Sequence, residues 1–209
     1  MFGKKRAGSS RLGKKTISML GVLLLLGAAS ANGAVIWDES IDGDLSGDYL
    51  NPTALSTAGV NNQVLFSSVS ADREYFSLTI GAGEQLAAII VDAWTSVDDL
   101  SFLAVAAGTA FPTPPTSPGP DPTVMLGYAH FGAPDLGLDI LQSIGAGPGS
   151  QGFSGSLAPG DYTFWAQETG PNAAAATLNF VVTPIPEPST ALLAGAGLLA
   201  LASRRWTKR

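Results

Sequence analysis

The sequence predicts an all-β protein whose body is a single antiparallel β-sandwich of jelly-roll-like form. Between residues 35 and 182, short β-branched and aromatic runs are separated by Gly, Pro, Asn and Asp, as is typical of short strands joined by turns. No apolar stripe with helical spacing exceeds two turns in this range. In residues 74–80, apolar side chains alternate with Tyr75, Ser77 and Thr79, which predicts one buried and one solvated sheet face.

The N-terminal segment has the pattern of a secretory signal peptide. Residues 1–15 carry six basic side chains and no acid, and residues 17–26 form a nearly continuous apolar run. Ala29 and Ala31 then fit the small-residue pattern that signal peptidase accepts. We therefore expect residues 1–31 to be a signal peptide with a helical apolar run, cleaved after Ala31. A retained anchor is the alternative, but a membrane span needs about 20 apolar residues.

The expected sandwich domain, residues 32–183, is strongly acidic. Between residues 35 and 183 there are sixteen acids and one base, Arg73. Such a body repels nucleic acid and anionic lipid, and it attracts cations or basic partners. The chain has no cysteine, which excludes disulfides, thiolate metal sites and a cysteine nucleophile. The fold must therefore rest on its apolar core.

An acidic loop, residues 42–48, is the densest run of oxygen donors. Asp42, Asp44 and Asp48 are its carboxylates, with Gly43 and Gly47 between them. Calcium takes six to eight oxygen ligands, so this loop is a candidate partial calcium site. The loop departs from the EF-hand pattern, because Thr53 stands where that pattern has a bidentate Glu. A solvated acidic loop without an ion is the alternative.

Eight short strands are expected in the body. They cover residues 63–67, 74–80, 86–94, 100–106, 124–131, 152–157, 161–167 and 177–182. The sequence favours a hairpin between residues 153–157 and 162–167, because Pro159 and Gly160 suit a tight turn. Residues 111–122 contain six prolines and are expected to be a stiff loop or polyproline II. Residues 145–152 are expected to be a second, flexible loop.

The C-terminal segment, residues 184–209, is expected to be a sorting signal. Prolines at 184, 186 and 188 favour an extended backbone that cannot join a sheet. The apolar run that follows, residues 190–202, spans about 21 Å as a helix, short against a hydrocarbon core of about 30 Å. Arg204, Arg205 and the two other terminal bases favour a cytoplasmic end for this helix. The basic end of the N-terminal signal agrees, which leaves the body outside.

This order of features closely resembles the PEP-CTERM sorting signal. The resemblance rests on Pro186, Glu187 and Pro188, the short Gly/Ala/Leu helix, and the basic end with Arg204 and Arg205. It implies recognition by an exosortase, a membrane cysteine protease, and cleavage near the tripeptide. It also implies a transient stay in the inner membrane, then release or attachment at the cell surface. Members are typical of bacteria that make extracellular polysaccharide, so exopolysaccharide is a candidate partner. An ordinary tail anchor is the alternative.

The body is similar in three segments to the bacterial pre-peptidase C-terminal β-sandwich. These segments are residues 72–78 (DREYFSL), 82–86 (AGEQL) and 157–163 (LAPGDYT). Glu74 stands where that family has a second Asp, and Asp98 and Asp99 stand where it has an acidic strand start. The resemblance implies a noncatalytic accessory domain.

We therefore expect a noncatalytic protein of the cell surface or extracellular matrix, without a cofactor other than the candidate calcium. Two alternatives stay open. A carbohydrate-binding module requires Trp37, Trp94 or Trp165 to share an exposed face, whereas such residues more often belong to a core. A secreted hydrolase has less support, because His130 is the only histidine and no G-x-S-x-G motif accompanies it.

Overall fold

The computed structural model describes residues 33–97, 101–116 and 120–185. Within these residues the chain is an all-β sandwich of two sheets, as the sequence predicts. Outside them lie the expected signal peptide with Ala29 and Ala31, the residues from 186 onward with their expected helix and basic end, and Asp98 and Asp99. The helices that the structure describes are all too short or too polar to cross a bilayer.

Nine strands and two short α-helices make up the described body. They are β1 (Ala34–Asp38), α1 (Glu39–Asp42), β2 (Thr53–Leu55), β3 (Asn61–Ser68), β4 (Glu74–Ile80), β5 (Glu84–Thr95), β6 (Ser101–Ala107), β7 (Gly127–Phe131), α2 (Leu141–Gly145), β8 (Gly160–Glu168) and β9 (Ala174–Pro184). Single 3-10 turns cover Pro122–Val124 and Ala133–Asp135.

The strands form two sheets with defined order. Sheet A runs β1-β3-β9-β5 and sheet B runs β2-β4-β8-β6-β7. Pairing is antiparallel inside both sheets, but the edge strands β1 and β2 pair in parallel with β3 and β4. The sandwich is therefore mixed at its N-terminal edges rather than purely antiparallel. The sequence did not predict β1 and β2 as strands.

The main core lies between the two sheets. Phe76 and Phe164 of sheet B contact Phe180 of sheet A, with ring centroids 5.6 and 5.0 Å apart. All three side chains are fully buried. Burying one such ring contributes about 1.5–3 kcal/mol, so this cluster is a main source of stability in a fold without disulfides.

A second apolar cluster covers the outer face of sheet B, and it corrects the prediction that this face of β4 is solvated. We call it the outer cluster; its members are Tyr75, Phe102, Ala104, Ala106, Phe111, Met125 and Trp165. Tyr75 is completely buried, whereas Thr79 further along the same face is exposed. Phe111 opens the proline-rich loop and packs 5.7 Å from Trp165, so the loop closes over the sheet.

The predicted hairpin between residues 153–157 and 162–167 is wrong. Residues 153–157 form no strand, and Leu157 makes a single bridge to Leu86 of β5 in sheet A. Both edges of β8 are already taken by β4 and β6, which leaves no partner site for a neighbouring hairpin strand. The turn residues are suited to a tight turn, but strand pairing in the whole sheet decides where the chain goes.

The glycine-rich segment 145–152 packs closely instead of forming the expected flexible loop. Its first residue ends α2, and a Cβ atom at Gly145 would lie 2.3 Å from the carbonyl oxygen of Phe153. A Cβ atom at Gly147 would lie 2.7 Å from the carbonyl oxygen of Tyr128. These glycines allow backbones to approach, which is a use of glycine that does not require mobility.

Candidate functional site

Three carboxylates from distant parts of the sequence meet at one rim of the sandwich. Glu39 lies in α1, Asp44 in the loop after it, and Glu74 at the start of β4. One carboxylate oxygen of each lies within 4.8 Å of the other two. We call these three residues the carboxylate cluster.

Glu39 is held in place by backbone donors. Asp38 caps α1 by accepting a hydrogen bond from the Ser40 backbone N–H, and Glu39 lies in the first turn of this helix. Glu39 Oε2 accepts a hydrogen bond from the Ser67 N–H at 2.6 Å, and Glu39 Oε1 accepts one from the Leu45 N–H at 3.3 Å. Partial burial raises the pKa of Glu39, and these backbone hydrogen bonds oppose the rise.

The loop that carries Asp44 is anchored beside β4. Leu45 is buried in the main core, and the Ser46 carbonyl accepts a hydrogen bond from the Tyr75 N–H at 2.8 Å. The Ser46 N–H donates to Thr53 Oγ1 at 2.9 Å. Because Tyr75 follows Glu74 directly, this bridge places Asp44 close to Glu74. Asp44 itself is exposed, so solvent reaches the cluster from its side.

Glu74 is the buried member of the cluster. Its side chain is 0% exposed, and its carboxylate oxygens meet no N–H or hydroxyl donor among the described residues; the one side-chain hydrogen bond open to them is with the carboxyl group of Asp72, and it requires a shared proton. Burial raises the pKa of Glu74 to about 9, and the charges of Glu39, Asp72 and Asp44 add to the rise. A buried carboxylate without donors is unfavourable in its ionised form.

Within the residues that the structure describes, no basic side chain compensates the cluster. Arg73 is the single Lys or Arg within the described residues. Burial raises the pKa of Tyr75, and the charge of Arg73 lowers it. For Glu74, in contrast, every neighbouring group that shifts the pKa raises it. The cluster can therefore hold either a shared proton or a cation. Its donors are all oxygen, which suits a hard ion such as calcium.

The structure regroups the sequence-predicted calcium residues. Asp44 joins the carboxylate cluster, while Asp42 and Asp48 accept hydrogen bonds within their own turns. Asp42 Oδ2 accepts from the Asp38 N–H at 2.9 Å. Asp48 accepts from the Asn51 side chain at 2.7 Å and the Leu50 N–H at 2.9 Å, and these bonds lower its pKa. Calcium binding by Asp42, Asp44 and Asp48 together stays a prediction.

Sequence reasoning missed Glu39 and Glu74, although one signal for Glu74 was present. Glu74 is in phase with Phe76, Leu78 and Ile80, the apolar residues of the same strand. Side chains two residues apart in a strand share a face, so the alternation already placed an acid on the buried face. Nothing in the local pattern marked Glu39.

The three tryptophans that the structure describes do not form an exposed platform. Trp94 is 8% exposed and its Nε1 donates to Ser101 Oγ at 2.9 Å. Trp165 is 5% exposed within the outer cluster, and Trp37 is half-buried against the main core. His130 is exposed on β7, with its ring 5.6 Å from that of Phe102.

Comparison with known families concerns the C-terminal segment. A family model described as the PEP-CTERM protein-sorting motif matches residues 184–205. The matched range contains Pro186, Glu187, Pro188, Arg204 and Arg205; the role of each single residue stays a prediction. The chain therefore carries a PEP-CTERM sorting signal, which confirms the resemblance seen in its sequence. Such a signal implies export, processing by an exosortase, and a surface or extracellular location.

Comparison of the chain with curated proteins and with solved structures gives no match. The resemblance of the body to the pre-peptidase C-terminal sandwich accordingly stays a prediction.

Proposed function

We propose that this chain delivers a noncatalytic, acidic β-sandwich to the cell surface or extracellular matrix. Signal peptidase removes residues 1–31, and an exosortase cleaves near Pro186, Glu187 and Pro188. One observation carries the proposal: β9 ends at Pro184, where the sorting motif begins. Cleavage at the tripeptide therefore leaves every described strand of the sandwich in the processed body.

The last contacts of the body support this division. The Ile185 N–H donates to the Gly83 carbonyl at 2.8 Å, which fixes the end of the body to the turn between β4 and β5. Pro184 itself ends β9 and pairs with Glu84, the first residue of β5, so the expectation that the proline at 184 stays outside the sheet is wrong. The last strand of the described sandwich is thus fully paired before the tripeptide begins.

A carbohydrate-binding role has weaker support. It depends on aromatic faces that sugars can stack on, and Trp94 and Trp165 are committed to apolar clusters instead. The strong negative charge of the body favours association with the matrix through cations rather than through direct contact with acidic polysaccharide. Retention on neutral and acidic polysaccharide gels, with and without a chelator, separates these roles.

Intact-mass analysis of the protein from the host envelope and medium tests the proposal. We expect a mass that lacks residues 1–31 and the segment beyond the tripeptide. A Glu187→Ala variant should keep its C-terminal segment, whereas Pro184→Ala, a proline outside the tripeptide, should be processed normally. Wild-type protein that retains residues 190–209 in both fractions would overturn exosortase processing.

A further inference from the structure

We propose that Glu39, Asp44 and Glu74 bind one calcium ion at the rim of the sandwich. The site differs from the acidic loop that local spacing suggests, because two of its three ligands lie outside residues 42–48. It does not depend on how the C-terminal segment is processed, since all three residues belong to the sandwich.

The spacing of the carboxylates fits calcium. Calcium binds oxygen at about 2.3–2.6 Å, so two oxygens on opposite sides of one ion are about 4.8 Å apart. The three cluster oxygens all lie within 4.8 Å of one another. They are therefore close enough to share an ion without movement of the helix, loop and strand that carry them.

The buried carboxylate of Glu74 is the independent observation that points to a ligand. Both of its oxygens are buried and meet no N–H or hydroxyl donor among the residues that the structure describes; their contact with the Asp72 carboxyl group joins two acids and supplies no positive charge. Its side chain is 0% exposed and one of its oxygens faces Glu39 and Asp44. Buried charges in proteins are paired or coordinate metals, and no Lys or Arg of the described residues takes that place here. A divalent cation supplies the missing positive charge.

The remaining coordination is available nearby. Three carboxylates offer up to six oxygens, and those of Glu39 keep free lone pairs beside their hydrogen bonds to Ser67 and Leu45. Asp72, whose charge acts on Glu74, is a further oxygen donor at the same rim. Exposed Asp44 leaves a path from solvent for the ion and its remaining waters. Magnesium fits less well, because it keeps most of its waters and uses one or two carboxylates.

Isothermal titration with CaCl2 tests the site on the exported protein, stripped with a chelator and compared with MgCl2. We expect one calcium per chain, a higher unfolding temperature with calcium, and weaker binding of magnesium. Glu74→Gln and Asp44→Asn should weaken calcium binding by roughly 100-fold or more, since even outer-shell changes cost about 10–100-fold. Asp42→Asn and Asp48→Asn are the matched controls and should leave the affinity within about 3-fold of wild type.

The same variants make failure informative. Asp44 is exposed, so Asp44→Asn keeps the fold, and unchanged binding in this variant would overturn the proposal. Loss of binding in Asp42→Asn and Asp48→Asn with retention in Glu74→Gln would place the ion in the acidic loop instead. Folded wild-type protein that takes up no calcium would also refute the site. Glu74 would then be neutralised by a proton that it shares with Asp72.

Discussion

Two buried glutamates lie at the same end of sheet B, and they differ in the hydrogen-bond donors around their carboxylates. Glu74 opens β4 opposite Ala166, and Glu168 ends β8 two residues beyond Ala166. Both are 0% exposed. Glu168 accepts hydrogen bonds from Ser101 Oγ at 2.7 Å and from the Gly170 N–H at 2.5 Å. In the part of the chain that the structure describes, Glu74 meets no such donor and contacts only another acid, Asp72.

This difference separates a structural carboxylate from a ligand-binding one. Ser101 also accepts from Trp94 Nε1, so the Glu168 network joins β5 of sheet A to β6 and β8 of sheet B. Glu74 instead faces three other acids. A buried carboxylate with built-in donors is complete in the folded chain, while one that faces like charges depends on something from outside.

Glu168→Met should have the largest effect on stability. The substitution leaves the Ser101 hydroxyl and the Gly170 N–H without their acceptor, and a buried unsatisfied polar group costs about 1–3 kcal/mol. We expect the free energy of unfolding to fall by about 3 kcal/mol. Urea denaturation at pH 7 measures it, and the loss should be the same in calcium and in chelator. If calcium restored the lost free energy of unfolding, the contrast between Glu168 and Glu74 would be wrong.

Ser101→Ala should make the Glu168 environment more like that of Glu74. It removes one donor to the carboxylate and the acceptor of Trp94 Nε1, at an expected cost of about 2 kcal/mol. Thr163→Ser, which keeps the hydroxyl that donates to the Gly108 carbonyl on the other face of the sheet, is a control and should cost less. Equal losses in both variants would show that the network contributes little beyond packing.

Glu74→Met, measured in chelator, should have the opposite sign to Glu168→Met. Replacing an uncompensated buried acid by an apolar side chain of similar length removes its desolvation penalty, so we expect a gain of about 1–2 kcal/mol. Calcium should stabilise the wild type and leave this variant unchanged. Destabilisation of Glu74→Met in chelator would mean that Glu74 already has a partner within the protein.

Over a single pH unit, the change in the free energy of unfolding is the smallest of the expected effects. The pKa of Glu74 is about 9 when folded and near its ordinary 4.5 when unfolded, so the folded state holds the extra proton between these values. In chelator, the advantage of protonated Glu74 is complete below pH 4.5 and is lost as pH rises towards 9. Relative to Glu74→Gln, the free energy of unfolding of the wild type should fall by about 1 kcal/mol per pH unit in this window. The upper limit for the release of one proton is about 1.4 kcal/mol per pH unit. A pH-independent difference between the two would contradict the raised pKa.

The sequence predicted the sheet interior better than its edges. Alternation placed β4 over residues 74–80, as observed, because one face of that strand packs on the main core. β1 and β2 were missed because they are short and their parallel pairing to β3 and β4 follows from contacts distant in sequence. The burial of Tyr75 was missed because the proline-rich loop that covers it gives no apolar periodicity of its own.

The candidate site was predicted only in part for a similar reason. Asp44 was found because it lies in a dense acidic run. Glu39 and Glu74 are brought to it by the hydrogen bonds of Leu45 to Glu39 and of Tyr75 to Ser46, which no local spacing reveals. Metal patterns read along the chain detect loops that supply all ligands, and this cluster is assembled by the sheet instead.

A crystal structure of the exported protein grown with calcium tests the central claim most directly. The account predicts one anomalous calcium peak bonded to oxygens of Glu39, Asp44 and Glu74 at about 2.3–2.6 Å. An ion held by Asp42 and Asp48, or a cluster without an ion in crystals grown with calcium, would contradict it.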